Sequence, residues 1–145
     1  MDKVELTAPM RFEGFAEGVG SIVMDSAREH RGTSAGPTPM QTVLLALAGC
    51  TGMDVVSILE KMRTPLEGLK IEVNGERATE HPKVFTRIHL RYVVRGAGLR
   101  EEDVRKAIDL SQEKYCSVSA MLRATATITY EVLLIPNLQA GSTAA

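Results

Sequence analysis

The chain has 145 residues and a formal net charge of -1, enough length for one domain with a sizeable core and no electrostatic case for nucleic acid or an anionic membrane surface. Trp is absent and aromatic residues make up 4%, which argues against a base-stacking platform. Cys50 and Cys116 are too few and too far apart for a disulfide scaffold, so in a cytosolic chain the pair is either incidental or redox-active. The start, MDKVELTAPM, carries acidic residues and no long apolar run, which makes a cytoplasmic protein the expectation.

In chain order, residues 3–12 (KVELTAPMRF) alternate loosely as a strand, with Pro9 marking an edge or a bulge. Gly14, Gly18 and Gly20 punctuate a turn and Ser21–Met24 reads as the return strand of an N-terminal hairpin. The polar loop Asp25–Pro37 then carries Arg28, His30 and Arg31 towards the next element; it is either functional or a solvated connector.

The stretch Gly36–Arg63, GPTPMQTVLLALAGCTGMDVVSILEKMR, reads as the central helix. Thr38 is placed as N-cap, Pro39 as first helical residue and Gln41 as the return arm of a capping box. Apolar residues occupy nearly every turn, so the helix is expected to be buried. The run Val43–Ala48 is far shorter than the roughly 20 residues of a membrane span, and Asp54 follows closely. Cys50 sits between Gly49 and Gly52, which suggests a kink, a close backbone approach, or a second helix starting there. A thiol at a helix start has its reactive thiolate stabilised, whereas Asp54 one turn on opposes ionisation. The other reading of Cys50 is a small core hydrophobe.

Leu69–Ala78 alternates as a strand, and Val84–Arg95 is the cleanest strand in the chain, with Ile88, Leu90, Tyr92 and Val94 on one face and Arg87, His89, Arg91 and Arg95 on the other. A second helix starts near Leu99–Arg100, and Val104, Ile108, Tyr115, Val118 and Leu122 form its buried face. Cys116 lies within it, where Ser117 or Ser119 offers a fresh N-cap. A last strand covers Ala124–Ile135 and a tail from Pro136 reads as disordered. The order is therefore β-β-α-β-β-α-β, an α+β chain in a single domain of residues 1–135. One small sheet cannot cover so apolar a central helix, so a homodimer with intertwined packing is expected.

The two segments GPTPMQTVLLALAGCTGMDVVSILEKMR and LSQEKYCSVSAML, in that order and spacing, resemble the cysteine motifs of the OsmC/Ohr family. The FTRIHLRYVV strand and the FEG hairpin fit as well, and the DVVSIL and EKYCSV runs are most like its YhfA-like branch. The resemblance implies antiparallel sheets wrapped around a pair of central helices in an intertwined homodimer. It implies a thiol-dependent peroxidase for organic hydroperoxides, with Cys50 as peroxidatic nucleophile and Cys116 as resolving thiol, closing an intramolecular disulfide that a dithiol reductant reopens. No metal or organic cofactor is implied. A metal site from Cys50, Cys116 and His30, His81 or His89 lacks any CxxC or HxxxH spacing.

The family pattern places a Glu after the Pro that opens the central helix, paired with an upstream Arg. Here Met40 stands at that position and Gln41 follows, with Arg11, Arg28 and Arg31 as candidates for the Arg. Neither Met nor neutral Gln replaces a carboxylate. That departure motivates a second functional class, a small-hydrophobe binding module or redox sensor without turnover.

Overall fold

The computed structural model describes residues 1–135, so the expected disordered tail from Pro136 lies outside the described residues. The chain forms two compact units, Met1–Leu45 and the part from Ala46 onward, and one helix runs from the first into the second.

The first unit holds three strands, β1 (Lys3–Ala8), β2 (Arg11–Ala16) and β3 (Gly20–Met24), as an antiparallel meander in that order. The expected single strand over residues 3–12 is two strands. Pro9 lacks the N–H a ladder needs, the chain turns there, and the register slips between Leu6 and Ala8. Gly18, at φ 73°, supplies the left-handed residue of the β2–β3 turn. The following loop, containing one 3-10 turn at Arg28–His30, is built around Asp25, whose side chain is almost wholly buried.

The central helix, α1 (Pro39–Lys61), begins as its residues dictate. The Thr38 N–H donates to Gln41 Oε1 at 2.8 Å and the Gln41 N–H donates to Thr38 Oγ1 at 3.2 Å, a closed capping box. The helix is unbroken through Cys50, so no second helix starts there, and what comes close to the Gly49–Gly52 bracket is a side chain rather than another backbone. A Cβ at Gly52 would stand 3.2 Å from Ile71 Cδ1, while one at Gly49 would meet nothing. Cys50 is therefore in mid-helix, not at a helix start. α1 as a whole is long and apolar enough to cross a membrane by length and composition, unlike the short run Val43–Ala48, though the core helices of water-soluble proteins pass that test too. Nor is it buried all round: Leu47, Thr51, Val55 and Leu59 are fully buried along one stripe, whereas Met53 is 77% exposed and Val56 36%.

In the second unit, β4 (Gly68–Arg77) and β5 (Phe85–Arg95) pair antiparallel, and β6 (Thr127–Ile135) pairs with β5 in parallel. The expected all-antiparallel arrangement thus fails at this pair, because α2 (Glu101–Leu110), a π turn (Ser111–Tyr115) and α3 (Ser117–Leu122) form a crossover long enough for parallel pairing. With the extra strand, the order is β-β-β-α-β-β-α-α-β. Ile88, Leu90, Tyr92 and Val94 are buried on the core face of β5. Its other face is a solvent-side ladder, with Arg91 pairing Glu72 at 3.4 Å and Glu131 at 3.1 Å and His89 Nδ1 hydrogen-bonded to Thr129 Oγ1 at 2.8 Å. Tyr115, expected on the buried helix face, is 52% exposed; the π turn adds a residue to the helical repeat and rotates it outward.

Candidate functional site

Both cysteines are free thiols in the second unit, Cys50 half-buried on α1 and Cys116 buried where the π turn ends. Cys116 leaves helical geometry at φ -75° and ψ 104° and is itself the N-cap of α3, its Sγ accepting the Ser119 N–H at 3.4 Å. The fresh helix start near Cys116 is thus found, with the cysteine rather than a serine as the cap. Burial pushes the Cys116 thiol up, against the Ser119 backbone N–H bond that favours its thiolate, and the adjacent Cys50 thiol adds to the upward push. The structure therefore brings the two sequence-predicted cysteines together.

Beside them lies a polar cluster whose hydrogens can all be placed. Ser111 Oγ donates to Asp54 Oδ2 at 2.8 Å. Its one proton is thereby used, so the 2.8 Å contact between Thr51 and Ser111 has Thr51 as donor. Tyr92 then donates to Thr51 Oγ1 across 2.8 Å. The Gln112 Nε2 group supplies two further bonds, to Thr51 Oγ1 at 3.1 Å and to Tyr92 Oη at 3.3 Å. The Gln112 Oε1 atom accepts from Ser119 Oγ at 3.0 Å and from Arg123 Nη2 at 3.2 Å, and Arg123 also donates to the Gln112 backbone carbonyl. Burial pushes the Tyr92 phenol up to about 12, leaving it a neutral donor.

Sequence reasoning found the two cysteines and missed this cluster. The available signal was Thr51 on the buried stripe of α1 and Tyr92 on the buried face of β5, two polar groups that need partners in a core. Ser111 and Gln112 carried no such signal, because the π turn sets their direction. Asp54 and Tyr115 also line a cleft of about 300 Å³ with Ile58, Lys61, Met62 and Leu110.

Most of the candidates for an activating ion pair are engaged elsewhere. Gln41 is held in the cap of α1. Arg11 pairs with Asp25 at 3.4 Å, Arg31 donates to Met10 Sδ, and Arg28 is exposed in the 3-10 turn. Among the described residues no group of three or more His, Cys, Asp or Glu side chains is placed to hold a metal ion.

The family model for OsmC-like proteins matches residues 32–131. The chain is 40% identical over 133 residues to the protein YhfA of Escherichia coli strain K12, covering 90% of this chain and 96% of YhfA. A crystal structure of a protein from Aquifex aeolicus VF5 shares 32% identity and a TM-score of 0.77 over 93% of this chain and 96% of that one. An organic hydroperoxide resistance protein OsmC from Legionella pneumophila shares 16% identity and a TM-score of 0.70 over 92% and 95%, a likeness of fold.

Proposed function

Because this chain belongs to the family of OsmC-like proteins, we propose that it is a thiol-dependent peroxidase reducing organic hydroperoxides. The observation that carries the reading is the pair of free thiols set against each other, one half-buried and one buried, on the fold of that family. Cys50 is the accessible partner and attacks the peroxide O–O bond: its sulfur takes the terminal oxygen as a sulfenic acid, and the alkoxide leaves and is protonated to the alcohol. Cys116 Sγ then attacks the sulfenic sulfur. The S–S bond forms, the S–O bond breaks, and the hydroxyl leaves as water with the Cys116 proton. A dithiol reductant returns both thiols, and a reducing cytoplasm supplies such a reagent. The partner in the assembly is a second copy of the chain, covering the outer apolar strip of α1 that includes Met53 and Val56.

The test is a thiol count on fully reduced protein after one equivalent of cumene hydroperoxide. Loss of both thiols within seconds, with a Cys50–Cys116 disulfide located by peptide mass, is the expected result. Cys50→Ser should consume no peroxide, and Cys116→Ser should stop after one oxidation. Parent-like consumption by Cys50→Ser would overturn the assignment.

A second reading, a sensor or small-hydrophobe binding module without turnover, is favoured by one observation. Gln41, which follows Met40 at the position of the family's Glu, is committed to the cap, and Arg11, one of the three candidates for the Arg, is committed to Asp25. Two thiols still free after minutes with the hydroperoxide would select it.

A further inference from the structure

We infer that Gln112 is a positioning residue that fixes the separation of the two sulfurs, an assignment that rests on the two-thiol reading above. Its side-chain amide is a bridge with each end committed to a different cysteine. The Nε2 end holds Thr51, the residue that follows Cys50 on α1, together with Tyr92 on β5. The Oε1 end holds Ser119, whose backbone N–H is bonded to Cys116 Sγ. The residue is 6% exposed, and all four of its side-chain bonds go to protein groups, so the bridge has no spare donor with which to slip.

The orientation of the amide is settled by chemistry. Arg123 can only donate, so the atom facing it is the oxygen, and the nitrogen faces the Thr51 and Tyr92 hydroxyls. The backbone reinforces the bridge, because the Cys116 N–H closes the π turn on the Ser111 carbonyl at 2.7 Å. Thus α1 carries Cys50, the turn carries Cys116, and Gln112 ties the turn to α1 beside both.

The consequence falls on one step. Attack on a hydroperoxide needs Cys50 alone and is indifferent to where Cys116 sits. Resolution needs both: Cys116 Sγ bonds to Cys50 Sγ, the sulfenic S–O bond breaks, and water leaves with the thiol proton. A sulfenic acid that is not resolved is open to a second hydroperoxide, which transfers another oxygen to give the sulfinic acid and an alcohol. Gln112 therefore sets the partition between disulfide and sulfinic acid without setting the first oxidation.

The experiment measures the effective concentration of the thiol pair by equilibrating full-length protein with mixtures of reduced and oxidised dithiothreitol, alongside the alkylation rate of Cys50 by iodoacetamide. Gln112→Glu keeps the size and the acceptor end but removes both donor bonds. Ser119→Ala removes one hydroxyl and serves as the mild variant should the first fail to fold. Both should lower the effective concentration by about tenfold or more, raise the sulfinic fraction of Cys50 under excess cumene hydroperoxide, and leave Cys50 alkylation within about twofold of the parent. Variants that are folded by circular dichroism and match the parent in effective concentration would overturn the positioning role alone. A parent protein that forms no Cys50–Cys116 disulfide in oxidised dithiothreitol would overturn the two-thiol reading, and the bridge with it.

Discussion

A thiol buried at the start of a short helix is pulled two ways, and at Cys116 burial wins: the thiol is pushed above its ordinary range despite the Ser119 N–H bond. The sign has a kinetic consequence. The folded protein holds Cys116 protonated at neutral pH, so the rate of disulfide closure after Cys50 has been oxidised should climb with pH and keep climbing beyond the ordinary thiol value of about 8.5. Stopped-flow closure rates between pH 6 and 10 would check this, and a plateau below pH 8 would contradict it. Tyr92 offers an energetic test of the neighbouring cluster. Tyr92→Phe leaves the Gln112 amide and a Thr51 lone pair without their partner in a dry site, a loss of about 1–3 kcal/mol for an orphaned buried polar group. Urea unfolding should show that loss with an unchanged slope; a stability equal to the parent would mean that water replaces the phenol. The cysteines were legible because their residue type carries the chemistry. The cluster was not, since Ser111 and Gln112 are ordinary polar residues until the π turn aims them inward.

The elements divide in the same manner. The capping box of α1 was legible because Thr38, Pro39 and Gln41 act on one another locally. Pro9 signals an edge or a bulge, and the register does slip beside it, but an isolated Pro within an alternating run does not say that the strand ends there and turns back. The parallel pairing of β5 with β6 depends on the crossover, and nothing within either strand reports it. Loop 25–37 shows how one residue can organise an element. Asp25 accepts the Thr33 hydroxyl at 2.6 Å and the N–H groups of Ser26, Thr33 and Ala35. The Thr33 hydroxyl bond leads, the three N–H groups help, burial opposes, and the carboxyl is held well below the usual carboxylate range. A depressed carboxyl stabilises the fold at and above the unfolded value of about 3.9 and loses that contribution only as pH falls through its own lower value, so the loop should stay ordered through mild acid. Asp25→Asn should open it, seen as faster proteolysis within residues 26–36 at neutral pH. The same loop requires Gly32, where a Cβ would stand 1.9 Å from the Ser26 carbonyl oxygen. Gly32→Ala should therefore destabilise by about 1–3 kcal/mol; an unchanged midpoint in thermal unfolding would refute the close approach.

At the scale of the whole molecule, α1 poses the problem that sequence reasoning raised first, a helix apolar on more faces than its own chain covers. The buried stripe Leu47, Thr51, Val55 and Leu59 repeats every four residues and is fully satisfied. The opposite strip is a different surface: Met53 is 77% exposed and Val56 36%, with Gly49 exposed one turn before. A glycine there lets another backbone come close, and a flexible Met fills an irregular gap, features suited to a second helix rather than to water. Leaving Met53 in solvent forgoes roughly 1.5–3 kcal/mol of side-chain burial for each copy, and a two-fold assembly would recover it twice. The proposed second copy therefore makes a firm demand. The parent should sediment as a dimer at micromolar concentration, and Met53→Glu, by placing like charges against each other where the strips meet, should shift it to monomer while far-UV circular dichroism stays unchanged. A parent that sediments as a monomer would leave α1 uncovered and refute the homodimer. A dimer indifferent to Met53→Glu would move the interface off this strip and onto another face of the chain.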